Sequence, residues 1–139
     1  MIGNGSVNFD LRIPIGSNSA WQMAMYQAED GVTPFVITGH TFEYVVSTAA
    51  FGLPNSPAGT EIIRLQSDEP GSPIPSGGGL ITVISTAVLS AVSLALFPPA
   101  TLPLEATTYY HALWMDYADP VNKTNLWWGS LFLDPAVQP

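Results

Sequence analysis

A chain of 139 residues can bury about two thirds of its unfolded surface in one core, so a single domain over residues 1–139 is the economical expectation. Its residues are 47% hydrophobic and only 10% charged, which excludes a disordered chain and, for want of solubilising charge, points to a surface partly covered by partners. Three basic residues (Arg12, Arg64, Lys123) against eleven acidic ones give a net charge of -8, which speaks against nucleic-acid binding; the absence of cysteine excludes disulfides, thiolate nucleophiles and thiolate metal sites.

The first ten residues, MIGNGSVNFD, carry neither a positive region nor an apolar run, so no secretory signal is expected and synthesis in the cytoplasm is favoured. Val7, Phe9, Leu11, Ile13 and Ile15 then alternate with Asn8, Asp10, Arg12 and Pro14, the period of a half-buried strand. Pro14 donates nothing to a ladder, so its end of the strand belongs at a sheet edge or a break. Gly16-Ser17-Asn18 reads as a turn. The next strand sets Trp21, Met23 and Met25 against Gln22 and Ala24, and these first two strands either form a hairpin or pass between sheets.

After a turn at Glu29-Asp30-Gly31 comes the run Pro34 to Val46, a β corner. A short apolar stretch meets a bend at Thr38-Gly39, and Phe42, Tyr44 and Val46 then share one face of a strand, opposite Glu43. Residues 49–60 read as an exposed loop with Phe51 and Leu53 as apolar tips. A short strand over Glu61 to Gln66 points Ile63 and Leu65 inward, and the Pro/Gly-rich stretch 68–79 reads as a second exposed loop, with Gly77-Gly78-Gly79 as a spacer.

Leu80 to Phe97 is eighteen residues without a charge, the minimum for a spanning helix. Five of the eighteen are Ser or Thr and no Lys or Arg lies nearby, while Val92, Leu94 and Leu96 alternate with Ala91, Ser93 and Ala95. Two strands joined across Thr86 to Ser90 fit better than a helix. A Pro-rich connection follows. The strand after it sets Tyr109, His111, Leu113, Met115 and Tyr117 against Tyr110, Ala112, Trp114 and Asp116, and the last strand sets Trp127, Leu131 and Leu133 against Leu126, Trp128 and Phe132. Both are apolar on two faces, which suits central strands or an outer face that meets a neighbour. The sum is an all-β antiparallel sandwich of about eight or nine short strands.

Catalytic constellations are not visible. His40 beside Gly39 reads as a turn residue, and His111 among apolar neighbours as a core histidine bonded to backbone. Neither histidine has an acidic orienter at recognisable spacing, no G-x-S-x-G elbow occurs, and neither Asp68-Glu69 nor Asp116 with Asp119 has calcium-loop spacing. The expectation is a non-enzyme with no catalytic, metal or cofactor-binding residue and no cofactor. The aromatic surplus is the more informative feature. Trp114, Trp127, Trp128, Tyr110 and Phe132, with the loop tips Phe51 and Leu53, are the interface candidates; Pro34, Thr38, Gly39, Phe42 and Tyr44 are assigned to the structural corner.

Taken in order, Gly16, Trp21-Gln22-Met23, Gly31-Val32-Thr33-Pro34, Phe35-Val36-Ile37-Thr38-Gly39-His40-Thr41-Phe42, Gly79-Leu80-Ile81-Thr82-Val83, Tyr109 to Met115 and Trp128-Gly129-Ser130-Leu131 resemble small tailed-bacteriophage virion proteins. The likeness is to the immunoglobulin-like N-terminal domain of upper-baseplate and tail-fibre attachment proteins. His40 stands where that pattern has an aromatic, His111 where it has a second Tyr, and the loop ending at Gly79 is longer. The resemblance implies an immunoglobulin-like sandwich and a non-enzymatic, multi-copy adaptor or connector in the tail, baseplate or fibre attachment region. It further implies a virion protein made in the host cytoplasm, whose partners are other phage virion proteins and copies of itself, with no nucleic acid and no membrane span. A capsid decoration or head-fibre protein is the alternative in the same class, and a carbohydrate-binding module using the surplus tryptophans is the alternative in another.

Overall fold

The computed structural model describes residues 7–26, 31–48, 51–52, 56–57, 61–67 and 78–135. In chain order its elements are β1 (Val7–Asn8), β2 (Leu11–Pro14), β3 (Ser19–Ala24), β4 (Phe42–Ser47), β5 (Phe51–Gly52), β6 (Ser56–Pro57), β7 (Glu61–Gln66), β8 (Gly79–Ser85), β9 (Ser90–Leu96), α1 (Pro98–Thr101), β10 (Thr108–Met115) and β11 (Thr124–Asp134). They form an all-β sandwich. A six-stranded sheet runs β1-β11-β10-β4-β7, with β2 also on β11, and a three-stranded sheet runs β3-β9-β8. β1 and β2 lie parallel to β11, while every other pairing in the two sheets is antiparallel. No helix among the described residues is long and apolar enough to cross a membrane.

The period-2 faces close the core as their sequences require. Phe42, Tyr44 and Val46 of β4, Ile63 and Leu65 of β7, and Val92, Leu94 and Leu96 of β9 are all buried between the sheets. Fully burying side chains of this size contributes roughly 1.5–3 kcal/mol each before chain entropy is set against it. The bend at Thr38-Gly39 is a tight turn: Gly39 has φ +88° and the His40 amide donates to the Ile37 carbonyl at 3.1 Å. Pro34 and Phe35 still lie against Tyr26 and Met25 at the end of β3, and the next strand, β4, is in the other sheet, so this turn carries the chain between sheets. The first two strands likewise pass between sheets and make no hairpin, since β2 lies on β11 and β3 on β9.

Four expectations are corrected. The strand over residues 7–15 is broken at Phe9 and Asp10, where the chain crosses over Gly129; a Cβ built on that glycine would stand 2.0 Å from the Phe9 carbonyl oxygen. Gly79 is not spacer but the first residue of β8, paired with Leu96, and a Cβ there would meet the Ala95 carbonyl oxygen at 2.6 Å. The Pro-rich connection contains one helical turn, α1, opened by prolines whose missing N–H is harmless at a first turn. In β11, Leu113 pairs with Trp127 and Trp114 with Asn125, so Leu126 is an extra residue in a β-bulge and turns inward beside Trp127 instead of sharing a face with Trp128. The Asn125 amide nitrogen donates to the Leu113 carbonyl at 3.3 Å and the Trp127 carbonyl at 3.1 Å, occupying acceptors at the irregularity. Of the two loops expected at 49–60 and 68–79, β5 pairs with β6 in the first, and residues 68–77 lie outside the described residues.

Candidate contact surface

The inner side of β10 holds the polar centre of the core. His111 is fully buried, its Nε2 lies 2.8 Å from the Phe9 carbonyl oxygen, and its Nδ1 lies 3.1 Å from the Tyr44 hydroxyl. A carbonyl can only accept, so Nε2 carries the proton and Nδ1 accepts from Tyr44. Burial lowers the His111 pKa to about 4, against the smaller opposing pulls of the Phe9 carbonyl and Asp10, and burial also raises that of Tyr44. The ring stacks on Phe9 at 5.8 Å and meets Trp127 edge to face at 4.7 Å. Both ring nitrogens are therefore committed to structure: the group pins the opening segment to β10 and β4. The second histidine does have an acidic partner, contrary to expectation. His40 Nδ1 lies 2.9 Å from Asp116 Oδ2, across a separation of 76 residues, and ties the corner to the end of β10.

Trp127, expected among the interface candidates, is in the core with 3% exposure. With Val7, Phe9, Trp21, Gln22 and Met23 it lines a cleft of about 170 Å³ at the open side of the sandwich. The Trp21 indole nitrogen is buried there without an acceptor.

The outer face of the six-stranded sheet gathers the other aromatic candidates. Register fixes its rows. Asn8, Trp128, Ala112, Val45 and Arg64 cross the sheet in one row; Ser130, Tyr110, Ser47 and Glu61 form the next; Asn125, Trp114, Glu43 and Gln66 flank the first on its other side. Phe132 lies beside Arg12 and Thr108. Trp128 is 47% exposed, and Tyr110, Trp114 and Phe132 are half-buried. Ala112, Val45 and Ser47, although on this outer side, are buried. The face is thus a floor of small side chains walled by large aromatic ones.

Charge on this face is paired. The Arg12 guanidinium lies 4.9 Å over the Phe132 ring and pairs with Asp134; the Lys123 ammonium lies 4.5 Å over the Trp114 ring; Arg64 pairs with Glu61 and stands 4.0 Å from Glu43. Gln66 donates to Glu43 at 2.7 Å. These are all three cations of the chain. Sequence reasoning missed that gathering, because Arg12, Arg64 and Lys123 are far apart in the chain and only the strand order brings them to one side. Phe51 has its backbone in β5, and its side chain and Leu53 lie outside the described residues. Compared with known proteins, the chain matches no family model and no curated sequence.

Proposed function

We propose that this chain is a non-enzymatic structural component of a bacteriophage virion, a multi-copy adaptor or connector in the tail, baseplate or fibre attachment region. The observation that carries the structural reading is the outer face of the six-stranded sheet, where the exposed Trp128 is joined by the half-buried Trp114, Tyr110 and Phe132 in an aromatic surface. Large exposed patches of that composition mark sites of contact with other macromolecules. The histidines are bonded within the fold, which fits a protein whose work is contact and not chemistry.

The phage assignment rests on the resemblance in the sequence, and the immunoglobulin-like reading draws support from the topology. A sheet ordered β11-β10-β4-β7 facing one ordered β3-β9-β8 has the G-F-C-C′ and B-E-D pattern of such sandwiches, with the opening strand beside β11. The Tyr109 hydroxyl at the start of β10 donates to the Glu105 carbonyl at 3.1 Å, the bond expected of a tyrosine corner. Mass spectrometry of purified particles, followed by labelling with antibody against the chain, tests the assignment. The chain is expected in particles, on tails. Label confined to heads would make it a decoration protein, and absence from particles would overturn the virion reading.

A further inference from the structure

The distribution of charge and area names a partner for the aromatic face, and the inference rests on reading that face as a contact surface. Three cations and three carboxylates, Glu43, Glu61 and Asp134, lie on or beside it, and Asp10 stands at its edge, where it accepts from the Ser130 amide at 2.8 Å, so the described groups leave the face with only about one negative charge. Glu105, Asp116 and Asp119 sit in the connections at strand ends, and Glu29, Asp30, Asp68 and Glu69 lie outside the described residues. Two copies approaching by the strand ends that carry these carboxylates repel each other, whereas two sheet faces meet with little net charge.

Two sheet faces are available, and area separates them. The outer face of the three-stranded sheet carries Ala20, Gln22, Ala24, Leu80, Thr82, Ile84, Ala91, Ser93 and Ala95 by alternation, uncharged but without an aromatic anchor. At ~4.8 Å between strands and ~3.4 Å per residue it offers a footprint of only ~340 Å². The six-stranded sheet is five strands wide because β1 and β2 share one edge, and with the eight residues of β10 its footprint is ~650 Å². Two such faces together cover ~1,300 Å², within the range of a stable interface, and supply the Trp, Tyr and Arg side chains that dominate interface energetics.

We propose that two copies of this chain pair face to face through the outer surface of β2, β11, β10, β4 and β7, with Trp128, next to the central strand β10, as the most exposed anchor of the contact. The pairing is isologous, so each aromatic wall meets the small-residue floor or the wall of its partner.

Sedimentation equilibrium of the full chain tests this directly. A dimer is expected, and W128E, an exposed change that leaves the fold intact by circular dichroism, raises the dissociation constant at least about 30-fold. T82E, on the exposed outer side of the three-stranded sheet, leaves it unchanged. A wild-type monomer at ~100 µM, well above the micromolar constants typical of weak interfaces of this size, overturns the proposal, as does a dimer broken by T82E and not by W128E, or a closed trimer. Tryptophan quenching by a glycan panel, abolished in W128E on a monomeric protein, would assign the face to sugar instead. The particle assay is independent: a monomer found in virions sinks the pairing and leaves the virion reading standing, and a dimer absent from virions does the reverse.

Discussion

Acid should loosen this protein through one histidine. His111 is neutral in the folded chain, with a pKa lowered to about 4 chiefly by burial, whereas an unfolded histidine titrates near ~6.5. Between those values the unfolded chain holds a proton that the folded chain lacks, so stability is intact above ~6.5 and falls as the pH drops towards 4. Each pH unit in that window is worth about 1.4 kcal/mol, giving a loss of about 2 kcal/mol between pH 8 and pH 5 and roughly 3 kcal/mol by pH 4. The structure gives the reason: a charged ring would be buried in a site walled by Phe9 and Trp127, and protonation of Nδ1 would take from the buried Tyr44 hydroxyl the acceptor it donates to. Urea denaturation at pH 8.0, 6.5, 5.8 and 5.0 measures the slope above the range where most carboxylates titrate. The H40Q background removes the other histidine, which lies against Asp116. H111Q in that background should start less stable and show a flat profile over the same range. A wild-type profile flat to within about 0.5 kcal/mol from pH 8 to pH 5 would refute the reasoning.

Three further changes test separate contacts. G129A puts a Cβ where the Phe9 carbonyl oxygen is 2.0 Å away; displacing the opening segment also breaks its bond to His111, so a loss of at least about 3 kcal/mol is expected in urea, and under 1 kcal/mol would contradict the crossing. N125A removes both amide bonds at the Leu126 bulge and should cost about 1–2 kcal/mol, with hydrogen exchange at neighbouring β10 and β11 amides rising before the rest of the sheet. K123E makes the nearly neutral aromatic face more negative by two charges per copy and should weaken dimerisation about tenfold at low salt, with most of the loss recovered at 0.5 M NaCl. K123A, which removes one positive charge together with the contact over Trp114 and so shifts the face by half as much, should show a smaller salt response.

Where one face of a strand is buried and the other is not, the sequence already carries the answer. Alternation placed Phe42, Tyr44 and Val46, Ile63 and Leu65, and Val92, Leu94 and Leu96 in the core because a one-residue slip would expose each set. Gly39 was legible for a similar reason, since a bend flanked by apolar residues with glycine at its third position asks for positive φ. What alternation does not carry is the count of residues opposite. Nothing local announces that Leu126 is one residue too many for β10, and that single insertion moves it inward. Gly79 reads as a spacer and Gly129 only as a residue of the last strand; both turn out to be close approaches, visible only once Ala95 and Phe9 are brought against them. His40 and Asp116 fail for the same cause, their pairing being set by the register of β4 against β10.

The two doubly apolar strands divide their labour through that bulge. Leu126 and Trp127 both face the core, and the alternation resumes after them, so Trp128, Ser130 and Phe132 face outward in register with Ala112, Tyr110 and Thr108. Without the insertion, Trp127 inside would place Asn125 on the core side and Leu126 on the outer row, burying an amide in an apolar layer. With it, Asn125 remains half-buried beside the irregularity, its amide serving the Leu113 and Trp127 carbonyls. The core thereby gains a leucine and the outer face keeps its tryptophan. That face is consequently not surplus core left uncovered: its aromatic rows and its small floor at Ala112 and Val45 are set by the register of a sheet whose interior is already filled, and the guanidinium and ammonium groups lie over Phe132 and Trp114. Half-buried aromatic side chains have less freedom to lose than fully exposed ones, so association through such a face would carry a smaller ordering cost, the condition under which a modest footprint supports a specific contact.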